Sequence, residues 1–233
     1  ARDARPQLVE ALGLRAAMVS RVGDEQMDAY LRITVSRGAG EIGLDPGLCP
    51  RATVVIMAKP LHPSPPVLSR DGVSLTVANT RRNLPEALSP QIKSTNFLNN
   101  ILAKRESIAA GTFDSLFLNW KDELTECTVS NLFFISGKTL HTPALDCGIL
   151  DGITRTIVMT LAQEEGVPVR EGHYHLADLQ RAEECFLTNT SMEIIPVNRV
   201  DSFAIGDGRP GSLTRRLQTR FADSRTRFLE PTS

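Results

Sequence analysis

The chain has 233 residues, 41% of them apolar and 23% charged, the profile of a globular protein long enough to bury a substantial core and form two small domains. Its 26 basic and 27 acidic side chains leave a formal net charge of -1, which gives no reason to expect nucleic acid or a membrane as partner. No apolar run approaches the roughly 20 residues of a membrane helix, and the opening ARDARPQLVEALGLRAAMV lacks the apolar core and cleavage site of a signal peptide, so a cytoplasmic protein is expected.

Residues 7–19 carry helix-like apolar spacing broken by Gly13. AYLRITVS, 29–36, favours a strand through Tyr30, Ile33 and Val35. RGAGEIGLDPGLCP, 37–50, is a loop by its glycines and prolines, and ATVVIMA, 52–58, is a short apolar run suited to a buried strand. KPLHPSPP, 59–66, holds four prolines. It predicts a stiff connector, with a small domain over 1–59, a linker over 60–68 and a larger domain over 69–233. VSLTVANT, 73–80, reads as a strand. NFLNNILAKRESIAAG, 96–111, has apolar residues at 97, 98, 101, 102 and 108 and a terminal glycine, predicting an amphipathic helix. SLFLNW, NLFFIS and KTLHTP read as strands, GITRTIVMTLAQEEG (152–166) as a second helix, and VPVRE and ECFLTN as strands. The arginines of the closing helix, SLTRRLQTRFADSRTRF, read as a solvated face. Strands and helices without strict alternation point to an α+β fold.

Recognisable cofactor patterns are few. RGAG, 37–40, lacks the G-x-G-x-x-G spacing and the following helix of a nucleotide site, and no G-x-S-x-G is present. Cys49, Cys127, Cys147 and Cys185 show no CxxC spacing and no accompanying histidine cluster, so no metal is expected and reduced thiols are. His173 and His175, two apart, read as a surface pair.

Three segments carry more chemistry. In IKSTNFLNN, Lys93 stands ahead of a helix, flanked by Ile92 and small polar residues. Partial burial there would lower its pKa and free the amine as a nucleophile towards an aldehyde. In LTECTVSNLFF, Glu126 leads into an apolar strand, where a buried carboxylate needs a cationic partner. The turns LDGITR and LTNTSMEI offer the hydroxyls of Thr154 and Thr190 and backbone N–H groups. Gly152, Ile153 and Thr154 also open a helix, whose N-terminus favours an anion.

At these residues the chain resembles the class IV aminotransferases, the fold-type IV pyridoxal-phosphate enzymes. The matching stretches run in order: AYLRITVSRGAG, IKSTNFLNNILAKRES, LTECTVSNLFFISGKTLHTP, GILDGITR, ECFLTNTSMEIIPVNRVD and IGDGRPGSLTRRL. The resemblance implies a small N-terminal α/β domain, here incomplete, and a larger domain with a strand barrel, in a homodimer. It implies pyridoxal 5'-phosphate as cofactor, with Lys93 condensing with its aldehyde and Glu126 pairing with its ring nitrogen. Leu150 would pack on the ring. Gly152, Ile153, Thr154 and Thr190, with Asn189 beside them, would cup the phosphate. Tyr30, Arg32 and Arg37 fall where relatives receive substrate, a guanidinium fork suiting a carboxylate. The expected reaction is ping-pong amino transfer from branched-chain L-amino acids to 2-oxoglutarate. The alternatives are an aminodeoxychorismate lyase that releases pyruvate, a D-amino-acid aminotransferase, and a non-catalytic truncated remnant.

Two departures from the family pattern stand out. Family members carry a phosphate-clamping arginine farther ahead of the lysine than the 92 residues that precede Lys93, so that arginine and the small domain's opening strands are expected to be missing. Its loss would remove about 1.5–3 kcal/mol of cofactor affinity. Phe97 stands where many branched-chain enzymes have a tyrosine.

Overall fold

The computed structural model describes residues 29–224 and Arg227; the helix expected at 7–19 lies outside them. The chain divides into two compact units, the first ending at Pro63 and the second starting at Ser64.

In the first unit, β1 (Ala29–Ser36) pairs antiparallel with β2 (Thr53–Pro60) in unbroken register, from Ala29 opposite Pro60 to Ser36 opposite Thr53. The loop between them contains a short 3-10 turn at Pro46–Leu48, capped by Asp45 Oδ1, which accepts the Gly47 N–H at 2.8 Å. Gly38 has φ +92°, and a Cβ there would lie 1.9 Å from the Arg51 carbonyl oxygen, so only glycine fits. The sequence predicted a buried strand over 52–58. In the structure Val54, Val55 and Met57 are about half exposed, because among the described residues β2 pairs only with β1, and a two-stranded ribbon covers neither face.

The second unit opens with α1 (Pro66–Asp71). The irregular link is shorter than the proline-rich stretch: β2 runs to Pro60, and Pro66 is a first-turn residue of α1, where a missing N–H leaves no bond unmade. The centre of this unit is a closed barrel of six strands: β3 (Val73–Val77), β4 (Asp114–Leu118), β5 (Leu124–Cys127), β6 (Asn131–Ser136), β9 (Glu184–Asn189) and β10 (Glu193–Val200). Strand β3 is parallel to both neighbours, and the other four contacts are antiparallel. Strands β7 (Thr139–Pro143) and β8 (Val169–Gly172) extend the sheet from β6, and β11 (Phe203–Ala204) adds to β10.

Alternation along the strands sorts two cores. Leu75, Leu116, Leu132, Phe134, Leu187, Ile195 and Val197 form one, inside the barrel. Phe133, Ile135, Phe186 and Ile194 point outward into the other, beneath α3 (Ile153–Glu164) and α5 (Ser212–Asp223). Strand β5 breaks the alternation. Leu116 pairs with Cys127 and Leu118 with Leu124, so one residue of β4, Phe117, faces two of β5, Thr125 and Glu126, and Leu124 and Cys127 both join the inner core although they are three apart. That bulge turns Glu126 to the outer wall.

The helix expected at 96–111 is α2 (Leu98–Ala110), closed by Gly111 at φ +66°. Its orientation differs from the expectation. Ala103 and Ser107 are its buried residues, and Ser115 Oγ donates to the Ala103 carbonyl at 2.6 Å, whereas Leu98, Ile101, Leu102 and Ile108 are exposed. Small residues let the helix lie close on β4, and that close approach decides which face is covered. The arginines of α5 are committed to neighbours: Arg216 and Arg220 pair with Glu165 of the α3 end at 3.2 and 2.8 Å, and Arg215 donates to the carbonyls of Ser69 and Arg70. Among the described residues, no helix is long and apolar enough to cross a membrane.

Candidate active site

The outer wall of the barrel carries a polar row set by strand register. Glu126 of β5 lies opposite Asn131 of β6, and Asn131 lies opposite Thr188 of β9. Directly paired residues share a sheet face. Glu126 is only 5% exposed. Its Oε1 accepts a hydrogen bond at 2.6 Å from Nη2 of Arg82, itself buried, and its Oε2 accepts the Leu150 N–H at 3.0 Å and Asn131 Nδ2 at 3.3 Å. Burial raises the Glu126 carboxyl above its usual range, while the Arg82 charge, the Leu150 N–H and the charge of Lys93 pull it back. Asn131 ties the arrangement together by also donating to the Leu150 carbonyl at 2.8 Å.

Arg82 was not among the residues singled out from sequence. It is the cation that a buried Glu126 requires, and nothing in the RRNLPEAL stretch marks it, because the pair spans 44 positions. Its Nη1 donates to Asn99 Oδ1 at 3.3 Å, its guanidinium lies 5.4 Å over the Phe117 ring, and its Nε is buried without a hydrogen-bond partner. Upstream, Glu106 of α2 accepts the N–H groups of Asn79 and Thr80 at 2.6 and 3.0 Å and the Thr80 hydroxyl at 2.6 Å. That clamp anchors the start of the segment that carries Arg82 and Lys93 into α2.

Lys93 sits in this irregular segment and is exposed, with Ile92 beside it 61% exposed. The partial burial expected from sequence is not found: Ser94, Thr95 and Asn96 are exposed too and give the lysine stem no apolar cover. Its charge nevertheless bears on Glu126.

The second polar focus is the start of α3. Gly152 is its N-cap, and a Cβ there would lie 2.1 Å from Asn131 Oδ1, so glycine is required for the helix to begin against the polar row. No side chain caps this end, which leaves its first N–H groups and the positive end of the helix dipole open to an anion. Thr154 is buried, whereas Ile153 is 67% exposed. Asn189 and Thr190 lie at the β9–β10 turn. The Asn189 side chain is committed to that turn: Oδ1 accepts the N–H groups of Ser191 and Met192, and Nδ2 donates to Ser130 Oγ at 2.9 Å. Any anion contact from this turn therefore falls to backbone N–H groups or to Thr190.

Tyr30, Arg32 and Arg37 belong to the first unit. Tyr30 and Arg32 share one face of β1, and the Lys59 amine lies 5.1 Å over the Tyr30 ring. Arg37 donates to the carbonyls of Pro46 and Cys49 in its own loop. Both bonds come from Nη2 of the guanidinium.

A six-stranded barrel with a cation-paired carboxylate on its wall and an uncapped helix start beside the same asparagine is the larger domain of a fold-type IV enzyme. The chain belongs to the amino-transferase class IV family, whose sequence model matches residues 7–200. It is 39% identical over 201 residues to a provisionally assigned branched-chain-amino-acid aminotransferase of Methanocaldococcus jannaschii, covering 86% of this chain and 69% of that protein. It is 34% identical over 191 residues to an aminodeoxychorismate lyase of Bacillus subtilis, covering 82% of this chain and 64% of the lyase. The fold superposes on the branched-chain amino acid aminotransferase of Escherichia coli with TM-score 0.80 and 30% identity, covering 84% of this chain and 65% of the other. The chain thus spans about two thirds of the length of these relatives.

Proposed function

We propose that the protein is a pyridoxal-phosphate-dependent transaminase acting on branched-chain L-amino acids with 2-oxoglutarate as acceptor, and that it works as a homodimer. The observation that carries the proposal is the Glu126 carboxylate, buried, held by two N–H groups, and paired with Arg82. The residues fit the cofactor. Glu126 supplies a fixed negative charge for a protonated ring nitrogen, Leu150 borders it, and the α3 start at Gly152, Ile153 and Thr154, with Thr190, supplies N–H and hydroxyl donors for a phosphate. Bound pyridoxal phosphate supplies an electron sink for the pair left at the substrate Cα when its proton is removed.

The chain's own residues do the rest. Lys93 Nζ would be the nucleophile that holds the cofactor and, when freed from it, the base that takes the Cα proton and passes it to the cofactor carbon. Exposure leaves it free to swing between these tasks. The Arg82 charge opposes the pull of burial on the Glu126 carboxyl, and Asn131 fixes the direction in which Oε2 points. Tyr30 and Arg32 receive the substrate. The preference for branched-chain substrates rests on the AYLR segment and on similarity to proteins named for that activity.

One other reading has its own support. TNTSME has asparagine where branched-chain enzymes often have glycine, and a lyase is among the relatives, which favours release of pyruvate from aminodeoxychorismate. Purified protein supplied with pyridoxal phosphate should form glutamate from 2-oxoglutarate with leucine, isoleucine or valine. Pyruvate release without amino transfer would replace the transaminase reading with the lyase. Borohydride reduction followed by peptide mapping should place the adduct on Lys93, and an adduct elsewhere would refute both readings.

A further inference from the structure

Away from the polar row, three segments distant in sequence bring unlike side chains to one point. Glu123 precedes β5, Cys147 follows β7, and His173 follows β8. One ligand atom from each lies within 4.8 Å of the others. His173 Nδ1 is 3.1 Å from Glu123 Oε1 and 3.6 Å from Cys147 Sγ. Around a tetrahedral zinc ion, with metal–nitrogen and metal–oxygen distances of about 2.0–2.1 Å and metal–sulfur of about 2.3 Å, neighbouring ligand atoms stand roughly 3.3–3.6 Å apart. The observed separations are close to those edges without any ion in place.

The surroundings fit the same reading. His173 Nε2 lies 3.2 Å from Asp146 Oδ2, the carboxylate–imidazole arrangement that fixes the tautomer of a metal-binding histidine and leaves the other nitrogen's lone pair for the ion. The second oxygen of Glu123 accepts Asn119 Nδ2 at 2.7 Å, so the carboxylate is aimed from behind. Asn119 also donates to the Cys147 carbonyl at 3.3 Å and so links two of the three ligands. Glu123 and Cys147 are buried, whereas the His173 side chain is 45% exposed, which gives an ion a route in and leaves room for water as a fourth ligand.

We propose that Glu123, Cys147 and His173 bind one divalent transition-metal ion, with zinc the favoured occupant, at a site separate from the Glu126 row. A thiolate and an imidazole select zinc or cobalt over magnesium or calcium. Binding replaces the thiol hydrogen of Cys147, which leaves to solvent as a proton. The ion would join the loop after β7 to β5. Leu150, three residues beyond Cys147 in that loop, donates to Glu126, so occupancy would also stiffen the strap behind the carboxylate. Cysteine spacing gave no hint of this site, because its ligands lie 24 and 26 residues apart.

The test is a titration of the metal-stripped full chain with cobalt(II). One equivalent should produce visible bands of tetrahedral intensity together with near-ultraviolet thiolate-to-cobalt charge transfer, and zinc should bleach both. His173→Ala, at a half-exposed position, should weaken binding about a hundredfold, and Asp146→Asn roughly tenfold. His175→Ala, two residues away, should leave the titration unchanged. Cys147→Ser should abolish the charge-transfer band; because Cys147 is buried, His173→Ala decides the matter if that variant does not fold. Absence of a thiolate band at one equivalent, or cobalt binding that survives His173→Ala unaltered, overturns the proposal. The readout is the metal's own spectrum, so failure of the transaminase reading would leave it standing.

Discussion

The two residues on which the proposed chemistry turns live in opposite surroundings. Glu126 lies in a barrel wall, with its register set by β6, its direction set by Asn131 and Leu150, and its charge balanced by Arg82. Lys93 lies in an irregular, exposed stretch between the Arg82–Glu126 pair and α2. The difference teaches a division of labour. A group that must hold charge at a fixed point belongs in a rigid, low-dielectric wall, and a group that must change partners belongs on an exposed stretch of chain. Function and stability should therefore separate at Lys93 and coincide at the Arg82–Glu126 pair.

The largest effect is expected at the lysine. Lys93→Ala should lower transaminase turnover by ~10³-fold or more while the thermal midpoint stays within the range of surface substitutions, ~0.5 kcal/mol. A melt that collapsed along with activity would show that the segment is structural. Next comes the pair. Arg82→Ala strands a buried carboxylate and should cost about 3–5 kcal/mol in chemical denaturation, and Arg82→Met combined with Glu126→Gln should recover much of that loss. If single and double variants were equally unstable, the pair would not be the cause.

The pH dependence of Arg82→Ala sharpens the point. Glu126 already titrates above its usual value in the fold, so its neutral form favours folding at low pH and that benefit is lost as pH rises through the folded pKa. Removing Arg82 pushes that pKa higher still. The stability gap between wild type and variant should widen from pH 5 to pH 8, and a gap that narrowed would contradict the assignment of Arg82 as the charge partner.

A smaller effect is expected at the clamp. Desolvation pulls the Glu106 carboxyl up, but the hydrogen bonds from Thr80 and Asn79 outweigh it and leave its pKa below the ordinary value. Its stabilising share is present above the unfolded-state pKa and lost as pH falls through the folded one. Glu106→Gln should cost about 1–2 kcal/mol at neutral pH and flatten the acid limb of the stability curve. Urea titrations between pH 3 and pH 7 would show this. The smallest change is expected at Ile101→Gln on the exposed face of α2, within ~0.5 kcal/mol; a larger loss would mean that this face is covered in solution.

Much of this architecture was legible in the chain. The strand at 29–36, the glycine-closed helix at 98–110 and the helix starting at Ile153 follow from local rules of periodicity, capping and β-branching. Strand β10 and the two short helices α1 and α4 (Leu176–Gln180) carried no pattern strong enough to stand out, and β5, four residues long and bulged, has no clean alternation to read. Glu126 was legible because a carboxylate in an apolar strand is costly enough to need a reason. Its partner was not, because Arg82 looks like any surface arginine until the fold brings it within 2.6 Å. The commitment of Arg37 to its own loop, and of Asn189 to its own turn, was equally invisible.

The amino-acid order by itself therefore determined the helices and most strands, the α+β class, and the candidates Lys93 and Glu126, since these rest on neighbours a few positions apart. Only the tertiary structure decided which face of α2 is covered, that a bulge turns Glu126 outward, that Arg82 balances its charge, and that Glu123, Cys147 and His173 meet. The last two depend on contacts across 26 to 50 positions of chain and the first two on pairings between separate elements, where a side chain's environment is set by packing and solvent exclusion rather than by its own residue type.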